Sequence, residues 1–241
     1  MGRQPTIAAA LAALLLWSSV DAAHAAPAQD VSFKTDDGVT IAGTLYLPGR
    51  PAPAIILVHA LSRTREDWSV VANKLADAGF VVLAIDLRGH GASGPLPDGT
   101  DLQQLTPMTA DLKAARLFLA SRREAVPNRI GVAGASIGAN LAILLAASDP
   151  AVRSLVLLSP GIDYRGLRPE AALKKYGDRP AMLVASQEDN YSTNSARELT
   201  KSGPGIRDLR ILNGAGHGTN ILVRQPDLVG ALVDWFRRTL L

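Results

Sequence analysis

The chain of 241 residues contains no cysteine. That excludes disulfides, a thiolate nucleophile, cysteine-ligated metal and lipid attachment through an N-terminal cysteine. Aromatic residues make up only 5% of the chain, and only four histidines (His24, His59, His90 and His217) could act as bases or ligands. No H-E-x-x-H string, no histidine pair at ligand spacing on one helix and no G-x-x-x-x-G-K-[ST] phosphate loop occurs, so no metal and no cofactor is expected. Charge of one sign is scarce too. The formal net charge is +3, with no run of five or more Lys or Arg. A nucleic-acid partner would concentrate its cations on one element, so none is expected. Arg122-Arg123 and Arg237-Arg238 are expected near helix ends, where cations suit the dipole.

What is present begins with a leader-like segment. Arg3 precedes a continuous apolar run from Ile7 to Trp17, and Ala23-His24-Ala25 then supplies small residues where a signal peptidase reads them. That run is too short to span ~30 Å of hydrocarbon as a helix. Residues 1–25 therefore read as a signal peptide, and 26–241 as a mature domain without a membrane span, periplasmic or secreted. Loss of Arg3 and Asp21 leaves the net charge at +3.

The remainder alternates strands with helices. Val31 to Lys34 and Val39 to Leu47 read as strands joined by Asp36-Asp37-Gly38, a hairpin signal. Ala54 to Val58 and Phe80 to Ile85 are apolar without polar alternation, as expected of strands covered on both faces. Further strands are expected at 129–133, 154–158, 181–185 and 208–212, with helices at about 66–78, 108–123, 137–148 and 221–239. This alternation implies an α/β fold: a doubly wound, mostly parallel sheet of about eight strands flanked by helices, in one domain.

Open parallel sheets carry their chemistry at the carboxyl ends of the strands. After the strand at 129–133 comes Gly134-Ala135-Ser136-Ile137-Gly138, a G-x-S-x-G string. The string alone is weak, but an apolar strand before it and an apolar helix after it are the context in which a tight turn exposes a nucleophilic serine. Flanking glycines are needed because a Cβ at either position would strike its neighbours. A serine hydroxyl requires a base, and the base an orienting acid. His217 is the one histidine downstream of Ser136, in the glycine-rich loop Asn213 to Gly218. For the acid, Asp189 just past the strand at 181–185 is favoured over Asp163, past the preceding strand, and over Glu188, which would point elsewhere.

Together with Leu57-Val58-His59-Ala60 and Asp86-Leu87-Arg88-Gly89-His90-Gly91, these motifs resemble the α/β-hydrolase superfamily over nearly the whole mature length. Within it the chain is most similar to small esterase, dienelactone-hydrolase-like and serine-aminopeptidase-like groups. The resemblance implies a serine hydrolase acting on a small ester or acyl substrate, with peptidase or acyltransferase chemistry as alternatives and a non-catalytic binding protein on the same fold as a further one. It also implies an oxyanion hole from the N–H groups of Ile137 and of Leu61 or Ala60. The family's usual His-Gly is His59-Ala60 here, which leaves open which of the two donates.

The resemblance assigns His59 a structural place beneath the loop, and the Asp86-to-Gly91 motif a tight turn with locally paired charges. Asp163 is expected to cap or brace the segment after it. Arg63 and Arg65 read as either a solvated loop or contacts to an acidic substrate, and Trp68 and Trp235 as core. Only about twenty residues, Ser159 to Pro180, separate the strands where large-capped relatives insert a subdomain. A minimal lid with one short helix near 169–175 is expected, over a shallow, open site.

Overall fold

A computed structural model describes residues 1–2, 26–99, 101 and 105–241. The leader reading falls on residues 3–25, outside the described residues. Eight strands form one sheet in the order β1-β2-β4-β3-β5-β6-β7-β8. They are β1 (Ala26–Lys34), β2 (Thr40–Leu47), β3 (Ala52–Val58), β4 (Val81–Ile85), β5 (Ala125–Ala135), β6 (Val152–Leu158), β7 (Ala181–Ser186) and β8 (Arg207–Leu212). β2 runs antiparallel to β1 and β4, and every other pairing is parallel. The helices are α1 (Ser69–Asp77), α2 (Thr109–Ala120), α3 (Ile137–Ser148), α4 (Glu170–Tyr176), α5 (Asn190–Leu199), α6 (Asn220–Arg224) and α7 (Asp227–Leu240). The expected α/β fold is therefore the one found.

Burial explains the strand sequences. All seven residues of β3 and all five of β4 are buried, because α1, α6 and α7 cover one face of the sheet and α2 to α5 the other. Each fully buried Val, Leu or Ile contributes roughly 1.5–3 kcal/mol. Alternation in polarity is absent because no face of these strands meets water. Prolines fall where pairing already lapses. Pro27, Pro53 and Pro127 each lie within a register shift of their ladder, where a missing N–H costs nothing. The shifts also let β1 and β5 begin earlier than their apolar runs suggest.

Two helical expectations are corrected, and one helix is added. The closing helix at 221–239 is two helices, since Pro226 offers no N–H and forces Gln225 to an extended φ of −130°. The helix at 108–123 ends at Ala120, so Arg122 and Arg123 lie beyond it and pair with Glu124. α5 has no counterpart in the sequence reading, because its buried face is made largely of the small residues Ser192, Thr193, Ser195 and Ala196, with Leu199 its one large apolar side chain.

The Asp86-to-Gly91 turn is where the sheet edge is tied to distant elements. Its charges do not pair locally, as expected from sequence, but over long spans. Asp86 is wholly buried and accepts from the Arg65 backbone N–H at 2.8 Å and from the Arg65 guanidinium. Arg88 pairs with Asp111 of α2 at 2.7 Å and with Asp37 of the hairpin at 2.6 Å. Long-range pairing follows from burial: a charge removed from water must be met by whichever element packs over it. Arg65 is accordingly neither a solvated nor a substrate-facing residue. Trp68 and Trp235 are buried core, as expected.

The Arg88 guanidinium, helped by Thr35, holds the Asp37 carboxyl down at about 2. A depressed carboxylate stabilises the fold above the ordinary pKa of about 3.9, and that contribution fades as pH falls through the folded value. Asp37→Asn should therefore lower the urea midpoint at pH 7. The gap from the wild type should close as pH falls from about 4 towards 2; a gap unchanged at pH 2 would contradict the assignment.

Candidate active site

Ser136 stands between the last residue of β5 and the first of α3, and its backbone is at φ 54°, ψ −117°. L-residues seldom adopt this region, and a side chain held there is sustained by its surroundings. The reason is the close meeting of strand and helix. A Cβ on Gly134 would lie 2.1 Å from the Gly138 carbonyl oxygen, and one on Gly138 would lie 2.6 Å from the carbonyl oxygens of Val58 and His59. Only glycine lets α3 approach the sheet so closely, and that approach leaves Ser136 6% exposed at the strand ends.

The structure brings Ser136, His217 and Asp189 into one hydrogen-bonded chain. His217 Nε2 lies 2.9 Å from Ser136 Oγ, and His217 Nδ1 lies 2.6 Å from Asp189 Oδ2. A hydroxyl on Nε2 and a carboxylate on Nδ1 select the tautomer with the proton on Nδ1. Burial pushes the Asp189 carboxyl up, but hydrogen bonds from His217 and Ser192 outweigh it and hold the group below the usual carboxylate range. Asp189 is also the N-cap of α5, accepting from the Ser192 N–H at 3.1 Å. The two competing acids are engaged elsewhere. Asp163 accepts from Gly166 N–H and Arg168, bracing the segment after it, while Glu188 accepts from Ser186 Oγ and the Gly214 N–H.

The loop bearing His217 hangs on two buried serines that the sequence reading missed. Ser186 Oγ accepts from the N–H groups of Ala215 at 2.9 Å and Gly216 at 3.1 Å, and Ser159 Oγ accepts from Gly218 N–H at 2.9 Å. Ser186 is the last residue of β7 and Ser159 the first past β6, places at the strand ends that could have flagged them. Thr219 Oγ1 donates to Asp67, which also pairs with Arg63, so the histidine loop is joined to the loop after β3.

That second loop carries Leu61 and is pinned by two histidines. Buried His59 donates from Nδ1 to the Ala60 carbonyl at 2.7 Å and accepts the Leu87 N–H on Nε2 at 2.9 Å. Burial drives its pKa down to about 4, in keeping with a neutral structural ring. His90 donates to the Arg88 carbonyl at 2.9 Å and accepts the Ser62 N–H at 3.1 Å. The Ser62 N–H is thus taken. The N–H groups of Leu61 and Ile137 carry no such partner among the described residues. No group of three His, Asp or Glu side chains placed to hold a metal ion occurs among the described residues.

Loss of the Ser186 hydroxyl would orphan two N–H groups, at roughly 1–3 kcal/mol for a buried unsatisfied group. Ser186→Ala should lower the denaturation midpoint and reduce turnover of any substrate that depends on His217, measured by chemical denaturation and steady-state kinetics; unchanged values of both would exclude the role.

Residues 49–187 match the serine aminopeptidase S33 family. The matched region includes Ser136 and stops short of Asp189 and His217. Among curated relatives, a thiohydrolase of Aspergillus aculeatus is 26% identical over 218 residues, covering 87% of this chain and 64% of the relative. A Mycobacterium tuberculosis protein carrying a phosphoribosyl transferase name is 27% identical over 227 residues, covering 90% and 48%. The chain spans about half the length of the first curated relatives it matches. Solved structures with the same fold include an esterase of Pyrococcus furiosus, at TM-score 0.71 and 19% identity over 89% of this chain and 93% of that one. A dienelactone hydrolase of Anabaena variabilis matches at TM-score 0.71 and 20% identity, over 89% and 99%. No helix among the described residues is long and apolar enough to cross a membrane. With more than half of its length in that match and an eight-stranded sheet of this topology, the chain belongs to the serine aminopeptidase S33 family of α/β hydrolases.

Proposed function

We propose that this chain is an exported serine hydrolase that cleaves small carboxylic esters through Ser136, His217 and Asp189. One observation carries the reading: the continuous hydrogen-bonded chain from Asp189 Oδ2 through the imidazole to Ser136 Oγ, with spacings of 2.6 and 2.9 Å. His217 removes the Oγ proton as Oγ attacks the ester carbonyl, and Asp189 fixes the tautomer and stabilises the imidazolium that forms. The N–H groups of Ile137 and Leu61 receive the oxyanion, each worth roughly 3 kcal/mol in the transition state. His217 then protonates the leaving alcohol, and later activates the water that releases the acid.

Charge distinguishes the bond types. An aminopeptidase must hold a substrate ammonium, which in a poorly hydrated site requires a free carboxylate. Asp67, Asp163 and Glu188, on the loops that carry or flank the three residues, are each already engaged with an arginine, a hydroxyl or a backbone N–H. That favours a neutral ester over an aminoacyl group. The segment between β6 and β7 holds only one short helix, α4, so the site lacks a large cap and suits short acyl chains.

Ser136→Ala should abolish labelling by a fluorophosphonate probe and lower ester turnover by about 10⁴-fold or more, with Asp189→Asn costing about 10²- to 10⁴-fold. Absence of labelling in the wild type would point instead to a binding protein. Across p-nitrophenyl esters, acetate and butyrate should be turned over at least as well as long chains, and aminoacyl p-nitroanilides poorly. A strong preference for long chains or for the anilides would overturn the substrate assignment. N-terminal sequencing of the exported protein should begin at Ala26.

A further inference from the structure

Tyr164 lies in the short segment after β6 and takes no part in the chemistry described so far. Its place is built rather than incidental. Asn140, wholly buried in α3, clamps the segment on both sides of the tyrosine. Its Nδ2 donates to the carbonyls of Gly161 at 2.9 Å and Leu167 at 2.8 Å, and its Oδ1 accepts the Gly161 N–H at 3.1 Å. Tyr164 and Leu167 close a small antiparallel bridge, with Arg165 at φ 50° and Gly166 at φ 85° turning between them. A Cβ on Gly161 would fall 2.5 Å from Tyr164 Cε2, so the ring occupies space that only glycine leaves. Tyr191 of α5, 48% exposed, packs on the Tyr164 ring with centroids 5.5 Å apart, and its hydroxyl bonds to both the N–H and the carbonyl of Asp163.

This scaffold sets the Tyr164 side chain against His217, at the edge of the site. The ring meets His217 edge-on, with centroids 6.5 Å apart, and the hydroxyl lies close enough to Ser136 for that serine to act on the phenol. Its hydrogen-bond partners are the Ser159 carbonyl and Ser192 Oγ, each at 3.2 Å. Hydroxyl hydrogen bonds are strongest at about 2.7–2.8 Å, so both are long and the proton is not committed to either. Burial pushes the phenol pKa above its usual value, which keeps that proton in place across the working range. Sheet order then fixes which part of a substrate it meets. Ser136 ends β5, Leu61 follows β3 on one side of it, and Tyr164 follows β6 on the other. An ester whose carbonyl oxygen points to the β3 side presents its leaving oxygen on the β6 side, next to His217.

We propose that the Tyr164 hydroxyl donates a hydrogen bond to the leaving oxygen of the ester as the tetrahedral intermediate collapses. This rests on the serine-hydrolase reading above. The carbon–oxygen bond breaks, its electron pair passes to the leaving oxygen, and His217 Nε2 delivers the proton that makes the free alcohol. Tyr164 keeps its own proton and stabilises only the charge that develops before transfer. Poor leaving groups, the alkyl alcohols, need this help; p-nitrophenolate does not.

The test is Tyr164→Phe, which keeps the ring and removes the hydroxyl, assayed on acetate esters of p-nitrophenol, phenol, trifluoroethanol and ethanol. With the acyl group constant, kcat/KM reports formation of the acyl-enzyme. The expected loss is about 10- to 100-fold for the ethyl ester and less than about threefold for the p-nitrophenyl ester, giving a steeper dependence on leaving-group pKa. Fluorophosphonate labelling of Ser136 should persist in the variant, which shows that the site remains assembled. An equal loss across the series, or no loss, overturns the leaving-group role while leaving the triad intact. A wild type that the probe fails to label would overturn the serine-hydrolase reading itself.

Discussion

The contact on which the rest depends is the approach of α3 to the end of β5. Gly134 and Gly138 meet at backbone distance there, and no side chain could be interposed. The backbone at Ser136 is bent into the left-handed region as a result, a state that costs of order 1–3 kcal/mol and persists only when surrounding packing over-determines it. The packing does so, since every residue of α3 from Ile137 to Ile143 is buried between α2, α4 and the sheet. Strain at one residue is thus the local consequence of a well-filled core.

Around that fixed serine the site is assembled from loops that cannot position themselves. Each is fastened by a buried polar group: His59 at the end of β3 for the loop that follows it, Ser159 and Ser186 at the ends of β6 and β7 for the histidine loop, and Asn140 of α3 for the segment bearing Tyr164. Buried polar groups are costly unless satisfied, and these are satisfied by the backbone of the loops they hold. His217 can therefore be 45% exposed at its side chain and still be held in register.

Much of this was legible in the sequence. Uninterrupted apolar strands gave away the parallel sheet, and the order of Ser136, Asp189 and His217 along the chain gave the three residues that the fold gathers. What escaped notice shares a cause. α5 buries mainly small polar residues, so it lacks the large apolar side chains that mark a helix, and Ser159, Ser186 and Asn140 look like ordinary residues until their partners, 21 to 59 positions away, are known. Arg65 and Arg88 misled for the same reason, because a charged motif names its members and not the distant carboxylates they will meet. Tyr164 was hidden in a lid judged by its length alone.

Asp67 binds Arg63 of one loop and Thr219 of another, across 152 residues of sequence. That single carboxylate couples the two segments across the site. Local opening that frees the loop of Leu61 removes the Thr219 tie of the loop of His217, whose bonds to Ser159 and Ser186 remain, so fraying at one loop costs the other a contact. The oxyanion side and the base side of the site therefore share one carboxylate, and the two loops loosen together more readily than apart.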